Sequence, residues 1–335
     1  MANGAIIPWA IFNALVLALL VGDLLIFHRQ PRAMRMREAL GWSGFWIALA
    51  LGFNLLVHPM YDRGWFGFGR EGGEVTLPGS EAALQFMTGY LIELSLSVDN
   101  LFVFLAVFQF FGLRGEHQHR VLFWGIVGAI VLRAVMILTG IALIARFGWL
   151  LYPLGGFLIF TGIRLAMEKG DERIDPEHSW VIRVARRHLP IAKGDHQGRF
   201  TLREDGRLRV TTLFLVLLVV ESTDVVFALD SIPAILAITQ DPFIAYTSNI
   251  FAVLGLRAMY FALAGLLGLF RYLRYGLVGV LVFIGGKMVA PLFGLGHVPV
   301  RVSLIVVASL LGASVVASLV AMKRSRAAGG VERTP

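Results

Sequence analysis

Five carboxylates, Glu93, Asp99, Glu221, Asp224 and Asp230, fall inside stretches of sequence otherwise apolar enough to cross a lipid bilayer. They belong to two hydroxyl-rich runs, Glu93-Leu-Ser-Leu-Ser97-Val-Asp99-Asn100 and Glu221-Ser-Thr-Asp224, the second continuing to Asp230-Ser-Ile-Pro233. A charge at the middle of a membrane helix costs about 2.5 to 3.5 kcal/mol even on a lenient scale. Five unpaired charges would cost on the order of 12 to 17 kcal/mol, as much as the whole stability of a typical domain. These groups must therefore be protonated, paired, bound to a metal or in contact with water, and acids at such a depth point to an ion path.

The donor inventory narrows the ion. The carboxylates, the Asn100 amide, the hydroxyls of Ser97, Ser222 and Thr223 and the backbone carbonyls are all hard oxygen ligands. The chain has no cysteine, and its eight histidines (His28, His58, His117, His119, His178, His188, His196 and His297) fall in loops or at the ends of apolar spans. Oxygen ligands without sulfur or imidazole suit Mn²⁺, Mg²⁺ or Ca²⁺ better than Cu or Zn. Glu93, Ser97 and Asn100 stand at i, i+4 and i+7, one stripe of a helix, while Asp99 lies about 120° round from it. Asp99 therefore faces another partner, or the helix is irregular around Ser95–Asn100. Glu221 and Asp224 share a face, with Asp230 half a turn round from Glu221. Pro233 has no N–H for the Leu229 carbonyl, which predicts a broken helix whose loose carbonyls help hold a cation.

The elements that position these groups follow from composition. Of 335 residues, 57% are hydrophobic and 16% charged, with a mean hydropathy of +0.74. That is an all-α, polytopic membrane helix bundle. Nine spans are predicted at about 6–27, 40–58, 82–111, 121–145, 147–166, 210–239, 244–270, 273–293 and 302–322, each near the length a bilayer requires. The first reads as an uncleaved anchor, because Arg29 and Arg32 follow it directly. Basic residues after that span (Arg29, Arg32, Arg35, Arg37), at Arg114, Arg120, Arg271 and Arg274 and in the tail, set against an acidic 59–81 loop, place the N-terminus outside and the C-terminus in the cytoplasm of a plasma (inner) membrane. The net charge of +8 is spread over short loops and calls for no nucleic acid. The expected partners are a divalent cation as substrate and the lipid bilayer, with no cofactor. No HExxH occurs and no histidine lies near an intramembrane serine or aspartate, so no enzyme is expected.

An internal duplication organises the spans. Gly128-Ala-Ile-Val-Leu-Arg133-Ala-Val-Met136 resembles Ala252-Val-Leu-Gly-Leu-Arg257-Ala-Met-Tyr260, and Phe157-Leu-Ile-Phe160-Thr-Gly162-Ile-Arg164 resembles Val280-Leu-Val-Phe283-Ile-Gly285-Gly-Lys287. With Asp99 and Asp224 these pairs keep a shift of 123 to 125 residues. The chain divides into 1–81 (two peripheral spans and an outer loop), 82–166 (repeat one, three spans), 167–209 (cytoplasmic loop), 210–293 (repeat two, three spans) and 294–335 (final span and tail). Units with an odd number of spans enter the membrane from opposite sides, and such inverted repeats place a transport site at the midplane. In the 167–209 loop, Trp180, Val181, Val184 and Ala185 among Arg183, Arg186 and Arg187 suggest an amphipathic helix. Segments 200–202 and 208–210 read as a hairpin.

Four bases, Arg133, Arg257, Arg164 and Lys287, also lie within spans. They either pair with the acids to pin helices together or gate and release the ion. Asp23 reads as a span-boundary residue; Gly125, Gly128, Gly140, Gly162, Gly279, Gly285 and Gly286 read as sites of close helix packing. Ser248 and Asn249 are weaker candidates for the site.

The runs Gly89–Asn100, Val220–Ala234, Thr247–Phe261 and Phe283–Met288 resemble the TerC family, most closely its Alx branch, over nearly the whole chain. The resemblance implies an inner-membrane manganese exporter whose metal site combines both acidic motifs, and an association with tellurium resistance. On this reading Glu93, Asp99, Glu221 and Asp224 bind the ion and Asp230 and Asn100 complete its shell. Arg133 and Arg257 hold the acids or replace the ion, while Ser97, Asn249, Arg164 and Lys287 support or gate the site. Proton exchange would accompany cation exchange, since a carboxylate cluster emptied of its cation takes up protons in low dielectric. Two rivals remain: an oxyanion carrier using the intramembrane arginines, and a scaffold for a metal-stress or tellurium-resistance complex.

Overall fold

A computed structural model describes the chain except residues 1, 29–35, 72–73, 114, 168–182, 186, 188, 193–197, 205–206, 265–272, 297 and 330–335, together with the side chains of 2–5, 24–28, 71, 99, 116, 207, 263–264 and 322–329. The described residues form long helices: α1 (Ala2–His28), α2 (Met36–Asp62), α3 (Gly79–Phe110), α4 (Gly115–Arg146), α5 (Leu151–Met167), α6 (Thr212–Leu236), α7 (Pro242–Ala264), α8 (Leu273–Val289) and α9 (Val300–Gly329). Among the described residues, eight helices are long and apolar enough to cross a membrane. Helix α7 carries Thr247, Ser248, Asn249 and Arg257, and it is enclosed by its neighbours along most of its length. A helix shielded from lipid by protein can be this polar.

The packing is cross-wise between the two triplets. Helix α3 lies against α7, α4 against α6, and α5 against α8, while α2 covers α3 and α7 and α9 covers α8 and α3. Helix α1 is fastened to α7 by Trp9 and Phe12, whose rings meet Phe243 and Tyr246, and by the Tyr246 hydroxyl donating to Asn13 Oδ1 at 2.8 Å. The start of α7 is capped by Asp241, whose Oδ1 accepts from the N–H groups of Phe243 at 2.9 Å and Ile244 at 3.0 Å, with Pro242 following the cap. Burial pushes the Asp241 carboxyl above its ordinary range against the pull of those donors.

Both motif helices run without a break, which removes the irregular-helix alternative around Ser95–Asn100 and contradicts the break expected at Pro233. Helix α3 passes through Ser95–Asn100, and α6 passes through Pro233, its ladder resuming with Ala237 N–H donating to the Pro233 carbonyl at 3.0 Å. Packing on α3 and α4 offsets the one hydrogen bond that proline removes. The predicted hairpin is present as β3 (Thr201–Glu204) paired antiparallel with β4 (Arg207–Val210), and a second, β1 (Arg70–Glu71) with β2 (Glu74–Val75), stands between α2 and α3. Of the predicted amphipathic helix, Trp180 and Val181 lie outside the described residues, while 183–185 are helical.

Glycines permit the tightest crossing. A Cβ on Gly285 of α8 would lie 2.5 Å from the Gly155 carbonyl oxygen and 2.8 Å from Ile159 Cγ1 of α5. Gly285→Ala is therefore expected to destabilise the bundle by about 1 to 3 kcal/mol through overpacking. The midpoint of thermal unfolding of the purified protein measures it, and an unchanged midpoint would contradict the close crossing.

Candidate functional site

At the centre of the bundle Arg133 is fully enclosed, and it joins acids from both triplets. Its Nε and Nη2 donate to Asp224 Oδ2 and Oδ1 at 3.2 and 3.0 Å, a bidentate grip, while Nη1 pairs with Glu93 Oε1. Nη1 also reaches Asn249 Oδ1 at 3.4 Å, and the Asn249 amide donates to Glu93 Oε2 at 2.9 Å. Ser97, one turn beyond Glu93 on α3, donates to Glu93 Oε1 at 3.2 Å. Four helices thus meet at one guanidinium: α3 supplies Glu93 and Ser97, α4 Arg133, α6 Asp224 and α7 Asn249.

Local sequence explains why these side chains reach the centre. In Thr247-Ser248-Asn249 both hydroxyls turn back on their own helix, to the carbonyls of Phe243 at 2.7 Å and Ala245 at 3.3 Å, which leaves the amide to cross to α3. Ser222 and Thr223 do the same on α6, both donating to the Val219 carbonyl at 2.8 and 2.7 Å. These two hydroxyls, counted from sequence among the ion's ligands, are engaged with their own backbone.

Two carboxylates share one guanidinium, so the cluster carries one surplus negative charge when both are ionised. Glu221 stands beside it, half-buried, with its carboxylate against Gly128 of α4. Among the described residues Glu221 makes no hydrogen bond or ion pair, and the charge acting on it is that of Asp224. Asn100 is buried, and its Oδ1 has no hydrogen-bond partner among the described residues, an oxygen available to a cation. The Asp99 side chain lies outside the described residues.

Other expected members stand apart. Asp230 faces α5, accepting from Thr161 Oγ1 at 3.2 Å with Arg164 near enough to act on it electrostatically, so it is not gathered with Glu93 and Asp224. Lys287 donates to Ser303 Oγ of α9 at 3.0 Å. Arg257, expected to hold the same acids as Arg133, instead pairs with Asp23 of α1. Asp23 closes the apolar span Ile6–Asp23, as expected of a boundary residue, and it has a second role that the sequence did not show. It is a largely buried counter-ion, and its partner is invisible in sequence because nothing there says against which helix α1 packs.

Among the described residues no three His, Asp or Glu side chains converge to hold a metal ion. The guanidinium of Arg133 fills the space where Glu93 and Asp224 face each other. A separate cavity of about 310 Å³ lies between the 67–77 segment and the start of α7, lined by Trp9, Phe68, Arg70, Asp241 and Phe243. It contains none of the five intramembrane acids.

Comparison with known proteins agrees with this arrangement of a polytopic bundle. The description "Integral membrane protein TerC family" matches residues 79–327, and the chain belongs to that family. It is 50% identical over 312 residues to the "Uncharacterized membrane protein STKORF319" of Myxococcus xanthus, covering 93% of this chain and 92% of that one. It is 46% identical over 309 residues to the "Putative membrane-bound redox modulator Alx" of Escherichia coli K12, covering 92% of each. A membrane protein of Rickettsia felis is 39% identical over 315 residues, covering 93% of this chain and 97% of that one. No solved structure matches the chain.

Removing one partner of a buried ion pair leaves its counter-charge stranded, at a cost of about 3 to 5 kcal/mol. Arg133→Leu should destabilise the purified protein by that amount in denaturant or thermal unfolding. A variant as stable as the parent would show that Glu93 and Asp224 do not depend on the guanidinium.

Proposed function

We propose that this protein carries a divalent cation, most readily Mn²⁺, out of the cell across the inner membrane, with its N-terminus outside and its C-terminus in the cytoplasm. The observation that carries the reading is the convergence of Glu93 from the first triplet and Asp224 from the second on one enclosed cation, Arg133. The guanidinium is a tethered stand-in for the ion. Exchanging its single positive charge for a divalent cation removes the surplus negative charge, leaving two carboxylates neutralised by one ion. A monovalent cation would leave that surplus in place, in surroundings where charge is costly. Oxygen from Glu93, Asp224, Glu221, Asn100 and Asn249 gives the hard ligand set that Mn²⁺, Mg²⁺ or Ca²⁺ prefers.

Alternating access fits the packing. If α3–α5 and α6–α8 are inverted copies, exchanging the triplets maps the α3–α7 contact onto the α6–α4 contact and α5–α8 onto itself, which supports a two-fold relation in the membrane plane. Movement of one triplet against the other would then open the Glu93–Asp224 seam to each side in turn. Protons would enter the carboxylates as the ion leaves.

The oxyanion reading loses ground on geometry, since the guanidinium of Arg133 already faces two carboxylates and an amide oxygen. A redox action of the kind in the relatives' name cannot use thiols here, because the chain has no cysteine. Moving a redox-active divalent metal would alter redox state without them.

Asp224→Asn and Glu93→Gln are each expected to abolish protection of an exporter-deficient host against high manganese, and to lower Mn²⁺ flux in proteoliposomes by 100-fold or more, on the order of 3 kcal/mol of lost ion stabilisation. Full protection by both variants would count against the proposal. Absence of flux from the unaltered protein in liposomes would favour a scaffold.

A further inference from the structure

Three glycines of α4 approach α6. A Cβ on Gly125 or Gly140 would meet aliphatic groups, Val220 Cγ1 at 3.1 Å and Leu236 Cδ1 at 2.9 Å, so these two positions serve ordinary helix packing. Gly128 differs in kind. A Cβ there would overlap Cδ, Oε1 and Oε2 of Glu221 together, so that carboxylate rests directly over the bare backbone of α4. Nothing attractive accounts for this placement, because among the described residues Glu221 has neither a hydrogen bond nor an ion pair, and its charged neighbour is Asp224. The missing Cβ at 128 is what leaves room for it there. Glu93 and Asp224 are engaged by Arg133, which leaves Glu221, one turn before Asp224 on α6, as the described acid beside the cluster without a counter-ion.

The two halves of the chain provide an internal control. Under the shift of 125 residues that matches Asp99 with Asp224, Glu221 falls opposite Leu96, and under the shift of 124 that matches Arg133 with Arg257, Gly128 falls opposite Ala252. Where the carboxylate is missing, the position beside it has a methyl group.

We infer that Gly128 is a positioning residue: it is the shelf that keeps Glu221 open as the receiving ligand, which an incoming divalent cation meets before Arg133 releases Asp224. The inference rests on the ion-carrier reading for its purpose, and on the Gly128–Glu221 contact for its geometry. The two can fail separately. A methyl group at 128 drives the carboxylate off the shelf, and shortening Glu221 by one methylene makes room for it again.

The full-length protein, Gly128→Ala, Glu221→Asp and the double variant are compared in two measurements. In thermal unfolding, alanine is the better helix former, so Gly128→Ala would raise the midpoint if the space beside it were open. The shelf requires Gly128→Ala to raise the midpoint less in the parent than in the Glu221→Asp background, where the shorter side chain leaves room for the methyl group. The same change in both backgrounds would overturn the contact. In proteoliposomes loaded with Mn²⁺, Gly128→Ala should raise KM by roughly tenfold or more with the maximal rate within about threefold of the parent, and the added Glu221→Asp should recover part of that loss. A KM equal to the parent's in Gly128→Ala would overturn the positioning role. If the parent itself moved no Mn²⁺, the proposed function would fall, and the unfolding comparison would still decide the shelf.

Discussion

A guanidinium in a dry centre governs this molecule. Arg133 brings a permanent positive charge, and Glu93 and Asp224 are two like charges whose repulsion it offsets by standing between them. Each of the three is tolerable in the bundle only in the company of the others. Because they come from α4, α3 and α6, the electrostatic requirement is also a requirement on helix position: three helices must meet at one level, and α7 must bring Asn249 to satisfy what remains. A site of this kind is restless as well as stable. On the proposed function, a divalent cation that offers the carboxylates more than the guanidinium does displaces it, and the helices are then held by the newcomer.

The surrounding packing allows that exchange to act on whole elements. Bare backbone at Gly155 and Gly285 brings α5 and α8 into close contact, while α3 and α6 are each flanked by the other triplet. The helices α1, α2 and α9 lie outside this core. Helix α1 is tied to α7 at both ends, by its aromatic cluster near Trp9 and by Asp23 on Arg257. The sequence-matched arginines therefore do different work. Arg133 holds the acids at the centre, and Arg257 fastens an added helix.

Much of this was legible in the sequence, for a physical reason. A lipid environment forces long apolar runs, so the helices could be placed from hydropathy, and the cost of burying charge marked Glu93 and Asp224 as interacting groups before any geometry was known. The four-residue spacing of Glu93 and Ser97 placed that pair on one face, and the structure joins them. What sequence could not supply was contact between helices distant in the chain. It left open whether Arg133 binds the acids, put Arg257 beside them, and treated Asp23 as a boundary residue, because helical periodicity gives a face and not its neighbour. The same limit applied to Asp230, whose face turned out to be that of α5. The expectation of a broken helix at Pro233 weighed the one lost hydrogen bond and could not weigh the packing that offsets it.

The central claim is that Glu93 and Asp224 hold either Arg133 or a divalent cation. Its most direct measurement is a titration of Mn²⁺ into the purified protein and into Arg133→Gln, followed by the electron paramagnetic resonance signal of free Mn²⁺. Competition for the same carboxylates predicts one ion bound per chain in both, more tightly in the variant, where the tethered rival is gone. Equal or weaker binding in Arg133→Gln would contradict the account.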